Sequence, residues 1–90
     1  TAAKLAPARA HGMDAGLAVD RETAADPAAL LAALGAFVRA ETDGRGADVA
    51  LDLVGGAYVD ATLAALAPMG RASLIGLVAG ARGTVDYGRI

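Results

Sequence analysis

The sequence predicts an α/β fold built on a parallel sheet, and three observations lead to it. Segments of strand length alternate with helical periodicities in the order α-β-α-β-α-β, which is the pattern of parallel strands joined by helical crossovers. The strand segments are continuous apolar runs, as in strands buried on both faces. Glycines punctuate the strand ends, at Gly55-Gly56 and at Gly76. Ligands of such sheets bind beyond the carboxyl ends of the strands. The segments after Asp20, at Gly55-Gly56 and at Gly76 are therefore where a site is expected.

Each element has its own local reason. Residues Thr1–His11 read as the end of a helix, with Gly12 as the stop. Pro7 fits that helix badly, since an interior proline costs about 3 kcal/mol. Gly16–Asp20 is a short apolar run predicted as the first strand. Asp26 is placed to cap the next helix and Pro27 to occupy its first position. Leu30, Leu34, Phe37 and Val38 then form one apolar stripe. After the loop Thr42–Gly46, Asp48–Val54 is the second strand. A third helix carries Val59, Leu63 and Leu66, is closed by Pro68 and Gly70, and leads into the third strand, Arg71–Val78.

Composition limits the functions open to the chain. It is 56% hydrophobic and 20% charged, which excludes intrinsic disorder. Twenty-five residues are alanine and three are aromatic, so the layers pack through small side chains. A formal charge of −2 provides no basic field for nucleic acid. No apolar run approaches the ~20 residues that span a bilayer. A membrane partner is not expected, and the lack of a targeting signal points to a cytoplasmic setting. With no cysteine in the chain, a disulfide scaffold and a thiolate zinc site are both excluded.

Few side chains suggest a reaction centre. Asp48 and Asp52 share one strand face but stand ~13 Å apart by strand rise, too far for a paired acid and base. Asp52 reads as a hydrogen-bond acceptor at the strand end. His11, the sole histidine, suits a helix C-terminus. Lys4, the sole lysine, reads from pattern alone as a solvated charge, and Ser73 lacks a nucleophile elbow. Gly55-Gly56 and Gly76 admit two readings, close approach of a ligand or a tight turn, and spacing alone leaves both open.

The run Thr42-Asp43-Gly44-Arg45-Gly46-Ala47-Asp48, continued by Asp52 and Val54-Gly55-Gly56, resembles a "T-x-G-x-G-x-D-x-x-x-D-x-V-G-G" pattern. That pattern belongs to the medium-chain dehydrogenase/reductase superfamily. A second block, Leu63, Leu66, Gly70-Arg71 and Ile75-Gly76, is similar to its "L-x-x-L-x-x-x-G-R-x-x-x-I-G". Upstream, Thr1–Leu5 and Gly12–Ala15 are similar to the family's "T-A-x-x-K-L … L-G-A-D" stretch. The branch it resembles most is that of the NADPH-dependent quinone oxidoreductases, which are alcohol dehydrogenase-like proteins.

The resemblance implies that residues 1–90 are a partial NAD(P)-binding domain, part of a doubly wound, Rossmann-type sheet. Strands 3, 4 and 5 of that sheet are expected here, without its first two strands, its glycine-rich turn or the substrate domain. A segment of that kind is expected neither to fold stably nor to turn over alone. As part of a longer enzyme it would serve hydride transfer from NADPH, with NADH possible, to a quinone or an α,β-unsaturated carbonyl. No catalytic residue or metal ligand is expected within it. Lys4 matches a position that contacts the 2′-phosphate of NADPH. Val54, Gly55 and Gly56 match a turn beside the cofactor, and Ile75, Gly76 and Leu77 the strand end along the nicotinamide. Asp20, beside Arg21, departs from the family and would repel a 2′-phosphate. Relatives commonly form homodimers.

Two other readings compete. Leu66-Ala67-Pro68-Met69-Gly70-Arg71 also looks like the "L-x-P-x-G-R" stretch of S-adenosylmethionine-dependent methyltransferases. A non-enzymatic α/β interaction module would need its glycines only as turns.

Overall fold

The computed structural model describes residues 2–86. Helices α1 (Ala2–Ala10), α2 (Arg21–Ala25), α3 (Pro27–Glu41) and α4 (Tyr58–Ala65) accompany strands β1 (Ala47–Asp52) and β2 (Leu66–Leu74) in the order α1-α2-α3-β1-α4-β2. The two strands pair in parallel, with α4 as the crossover between them. This is the α/β class that the sequence predicts.

The longest helix forms where its local signals put it. Oδ1 of Asp26 accepts hydrogen bonds from the amides of Ala28 (3.1 Å) and Ala29 (3.3 Å), and Pro27 occupies the first turn. Leu30, 1% exposed, anchors the buried stripe of α3. Leu34, Phe37 and Val38 are half-buried along it. At its far end Arg39 donates from Nη2 to the Ala64 carbonyl at 3.0 Å and so ties α3 to the last turn of α4. Thr42 then donates from its hydroxyl to the Val38 carbonyl (2.7 Å) and accepts from the Gly46 amide (2.9 Å), which turns the chain into β1.

Several expectations change. Gly16–Asp20 is irregular and not a strand. An apolar run becomes a doubly buried strand only where neighbouring strands satisfy its backbone, and among the described residues the sheet has only β1 and β2. Its last residue instead caps α2, a helix the periodicity did not reveal: Oδ1 of Asp20 accepts from the Thr23 amide at 2.7 Å. Among the described residues the strand count is therefore two and not three.

The last strand is also displaced. It starts at Leu66 and ends at Leu74, whereas the sequence suggests Arg71–Val78. The register runs Ala47 to Leu66 and then Val49 to Arg71, so the residues around Pro68 and Gly70 bulge out of the ladder. Met69, at φ 65°, stands 96% exposed on that bulge. Pro68 and Gly70 therefore mark an irregularity within a strand and not the end of a helix. The buried face of α4 shifts accordingly, from Val59, Leu63 and Leu66 to Ala61 and Ala65, which are 1% and 4% exposed.

The core between the helices and the sheet is small: Leu30, Ala61, Ala65 and Ala67, with Asp52 as the buried polar residue. One face of β1 is exposed. Val49, Leu51 and Leu53 alternate along β1 and its extension, and all are more than half exposed.

Candidate nucleotide-facing site

Beyond the carboxyl ends of β1 and β2 the chain makes two turns that close on each other. The first leaves β1 at Asp52. This residue is 5% exposed, and its Oδ1 accepts from the amides of Val54 and Gly55, both at 2.9 Å. Asp52 is thus the strand-end acceptor that the sequence suggests. Its second carboxylate oxygen, Oδ2, is buried without a hydrogen-bond partner.

The second turn leaves β2. Ile75 and Gly76 both donate from their amides to the Asp52 carbonyl, at 2.7 and 3.3 Å, which ends the regular ladder. Residues 77 and 78 swing outward, and pairing resumes when Ala79 donates to the Val54 carbonyl at 2.7 Å and Gly56 donates to the Gly80 carbonyl at 3.1 Å. Gly55 and Gly80 form an isolated parallel bridge.

Two glycines here are required by geometry. Gly55 has φ +76°, and a β-carbon on it would lie 2.9 Å from the carbonyl oxygens of Gly76 and Gly80. A β-carbon on Gly76 would overlap the Leu53 carbonyl. The atoms filling those spaces belong to the chain's own backbone. The geometry thus gives these glycines the tight-turn role, and they also line a pocket.

That pocket, about 220 Å³, is bounded by Gly55, Gly56, Val59, Gly76, Leu77 and the segment Gly80–Gly83 with Arg82. Four of the seven cofactor-facing positions expected from the sequence meet in it: Gly55, Gly56, Gly76 and Leu77. Val54 faces a neighbouring apolar groove of about 450 Å³ beside α3 and α4. Ile75 is 60% exposed next to the pocket. Lys4 lies apart, exposed on α1, and does not line it. The contribution of Gly80 and Gly83 escaped the sequence reading, although the glycine density after Gly76 was its signal.

In kind, these residues are compatible with a nicotinamide nucleotide: apolar side chains, glycine turns and one guanidinium. In size, the pocket falls below the roughly 300–1,000 Å³ of whole-ligand cavities. It can hold one end of a dinucleotide against one wall. Among the described residues no three His, Cys, Asp or Glu side chains gather into a metal-binding group. The described residues thus do not fit a zinc ion, and no step is drawn through one. No described helix is long and apolar enough to cross a membrane.

Asp20 is an engaged carboxylate. The backbone and hydroxyl of Thr23 hydrogen-bond to it and hold its pKa below the ordinary aspartate range, against a slight opposing effect of desolvation.

Turns that converge beyond the strand ends of a parallel α/β sheet mark where proteins of this fold bind their ligands. The comparison of families makes the assignment specific. Residues 1–89 match the model of the zinc-binding dehydrogenases, and the chain belongs to that family, within the medium-chain dehydrogenase/reductase superfamily. The matched region is the family's nicotinamide-nucleotide-binding part. No curated protein and no solved structure matches the chain.

Proposed function

We propose that the chain forms one wall of the nicotinamide site of an oxidoreductase that transfers hydride from NADPH, or NADH, to a quinone or an α,β-unsaturated carbonyl compound. The observation that carries this reading is the convergence of Gly55, Gly56, Gly76 and Leu77 on one pocket beyond the strand ends. The family match favours it over a methyltransferase or an interaction module.

The nicotinamide, when bound, supplies the hydride, and the protein's part is to orient it and keep water away. Gly55 and Gly76 let the two turns pack backbone against backbone, which keeps the pocket's shape for the ring. Val59 and Leu77 offer apolar contact at its edge. Lys4 would meet the 2′-phosphate at the adenosine end, where a cation favours NADPH, and Asp20 would oppose it. The unit is proposed to act within a longer cytoplasmic enzyme that forms a homodimer, with a small-molecule substrate and neither nucleic acid nor membrane as partner.

Titration of the full-length protein with NADPH and with NADH, followed by nicotinamide fluorescence, tests the reading. Saturable binding, followed by oxidation of the nucleotide with a quinone or an enal, is expected. Absence of binding to either nucleotide would remove the proposal. For Lys4→Glu, a selective loss of NADPH affinity with NADH affinity retained is expected.

A further inference from the structure

The four amides held by Asp52 belong to Val54, Gly55, Ile75 and Gly76, four of the seven positions expected to face the cofactor. The side chain holds the first pair and the main-chain carbonyl holds the second. One residue thus fixes the relative height of two turns that belong to different strands. The carboxylate does so at a cost, because Oδ2 is buried with no partner, and an unpaired buried polar atom opposes folding. A shape-matched apolar residue would avoid that cost but would free the Val54 and Gly55 amides.

We propose that Asp52 is the positioning residue of the nicotinamide pocket, acting through the Gly55 and Gly76 turns without touching the cofactor. This rests on the nicotinamide site proposed above and adds to it the residue that sets the pocket's shape. Asp52 lines the neighbouring apolar groove and not the pocket itself, so its loss reaches the pocket only through the turns.

The test uses the full-length protein with NADPH and NADH as probes, and compares Asp52→Ala, Asp52→Ser and Asp52→Asn. The alanine variant removes the acceptor, and a roughly tenfold or greater rise in nucleotide Kd and KM is expected from losing hydrogen bonds to a charged group. kcat at saturating nucleotide and KM for the electron acceptor should stay within about twofold, since nothing that touches the substrate has changed. The asparagine variant keeps an acceptor oxygen over the same amides and should restore nucleotide affinity to within about threefold of wild type. Should the alanine variant fail to fold, the serine variant, with one shorter acceptor, replaces it and is expected to fall between the other two.

Wild-type nucleotide affinity in the alanine or serine variant would overturn the assignment. So would a fall in kcat with nucleotide KM unchanged. If the wild-type protein binds neither nucleotide, the proposed function fails separately. The link between the turns is then decided by hydrogen exchange at the Val54 and Gly55 amides. Faster exchange in the alanine or serine variant, reversed by asparagine, supports it; unchanged exchange sinks it.

Discussion

Gly76 lies so close to Leu53 that a β-carbon on the glycine would occupy the space of the Leu53 carbonyl oxygen. The contact joins the end of β2 to the extension of β1, at the place where the two turns meet over the pocket. Backbone against backbone leaves no flexible side chain to yield, so relief requires one turn to move.

Gly76→Ala is therefore expected to destabilise by about 1–3 kcal/mol, the range for overpacking a tight site, and to weaken nicotinamide binding. Gly44→Ala is the control. Gly44 has φ +83°, and a β-carbon placed there would meet nothing within 4 Å, so alanine costs about 1–2 kcal/mol of backbone strain but leaves binding unchanged. Thermal melts together with NADPH titrations separate the two. Equal binding by both variants would show that the contact does not shape the pocket.

The elements with local causes were legible in the sequence. Asp26-Pro27 announces α3 because a cap and an N-terminal proline act within one turn, and the run around Val49, Leu51 and Leu53 announces β1. Those that depend on neighbours were not. Gly16–Asp20 carries the composition of a strand but has none beside it among the described residues, and the short helix α2 starts at the Asp20 cap. The start of β2 was hidden because Pro68 and Gly70 sit in a bulge, where they read as stops. At the site, single glycines were visible, but their meeting was not. It depends on the chain swinging out at residues 77 and 78 and returning at Gly80, which no spacing encodes.

The α3 cap gives a direct stability test. Asp26→Ala removes the acceptor for the Ala28 and Ala29 amides, and a loss of about 1 kcal/mol is expected. Asp26→Ser should recover most of it, because a hydroxyl caps nearly as well. Denaturant melts of the full-length protein read the difference. No change in midpoint for the alanine variant would mean that packing of Leu30 alone sets the start of the helix.

Asp20 makes α2 sensitive to acid. Its pKa is lower folded than unfolded, so its contribution is present above the ordinary aspartate value of ~3.9 and is lost as pH falls through the lower, folded-state pKa. The Thr23 amide should therefore lose hydrogen-exchange protection in that acid window and retain it at neutral pH. Asp20→Asn should flatten this dependence while keeping a capping oxygen. Protection at Thr23 that persists below the window would contradict the assigned cap.

The exposed face of β1 has a consequence for the ninety-residue chain in isolation. Val49, Leu51 and Leu53 are 69%, 67% and 58% exposed on one side of the sheet. Contiguous apolar surface on a sheet face, beside a strand paired on one side only, invites association with other chains. The isolated chain is therefore expected to bind an apolar dye such as ANS and to sediment as larger species as its concentration rises. Replacing Val49, Leu51 and Leu53 with threonine keeps β-branched or strand-compatible side chains while removing most of the apolar area. Dye binding and association should both fall. If the threonine variant associates as strongly as the parent, the sticky surface lies elsewhere, and the exposed Leu74–Val78 stretch would be the next to alter.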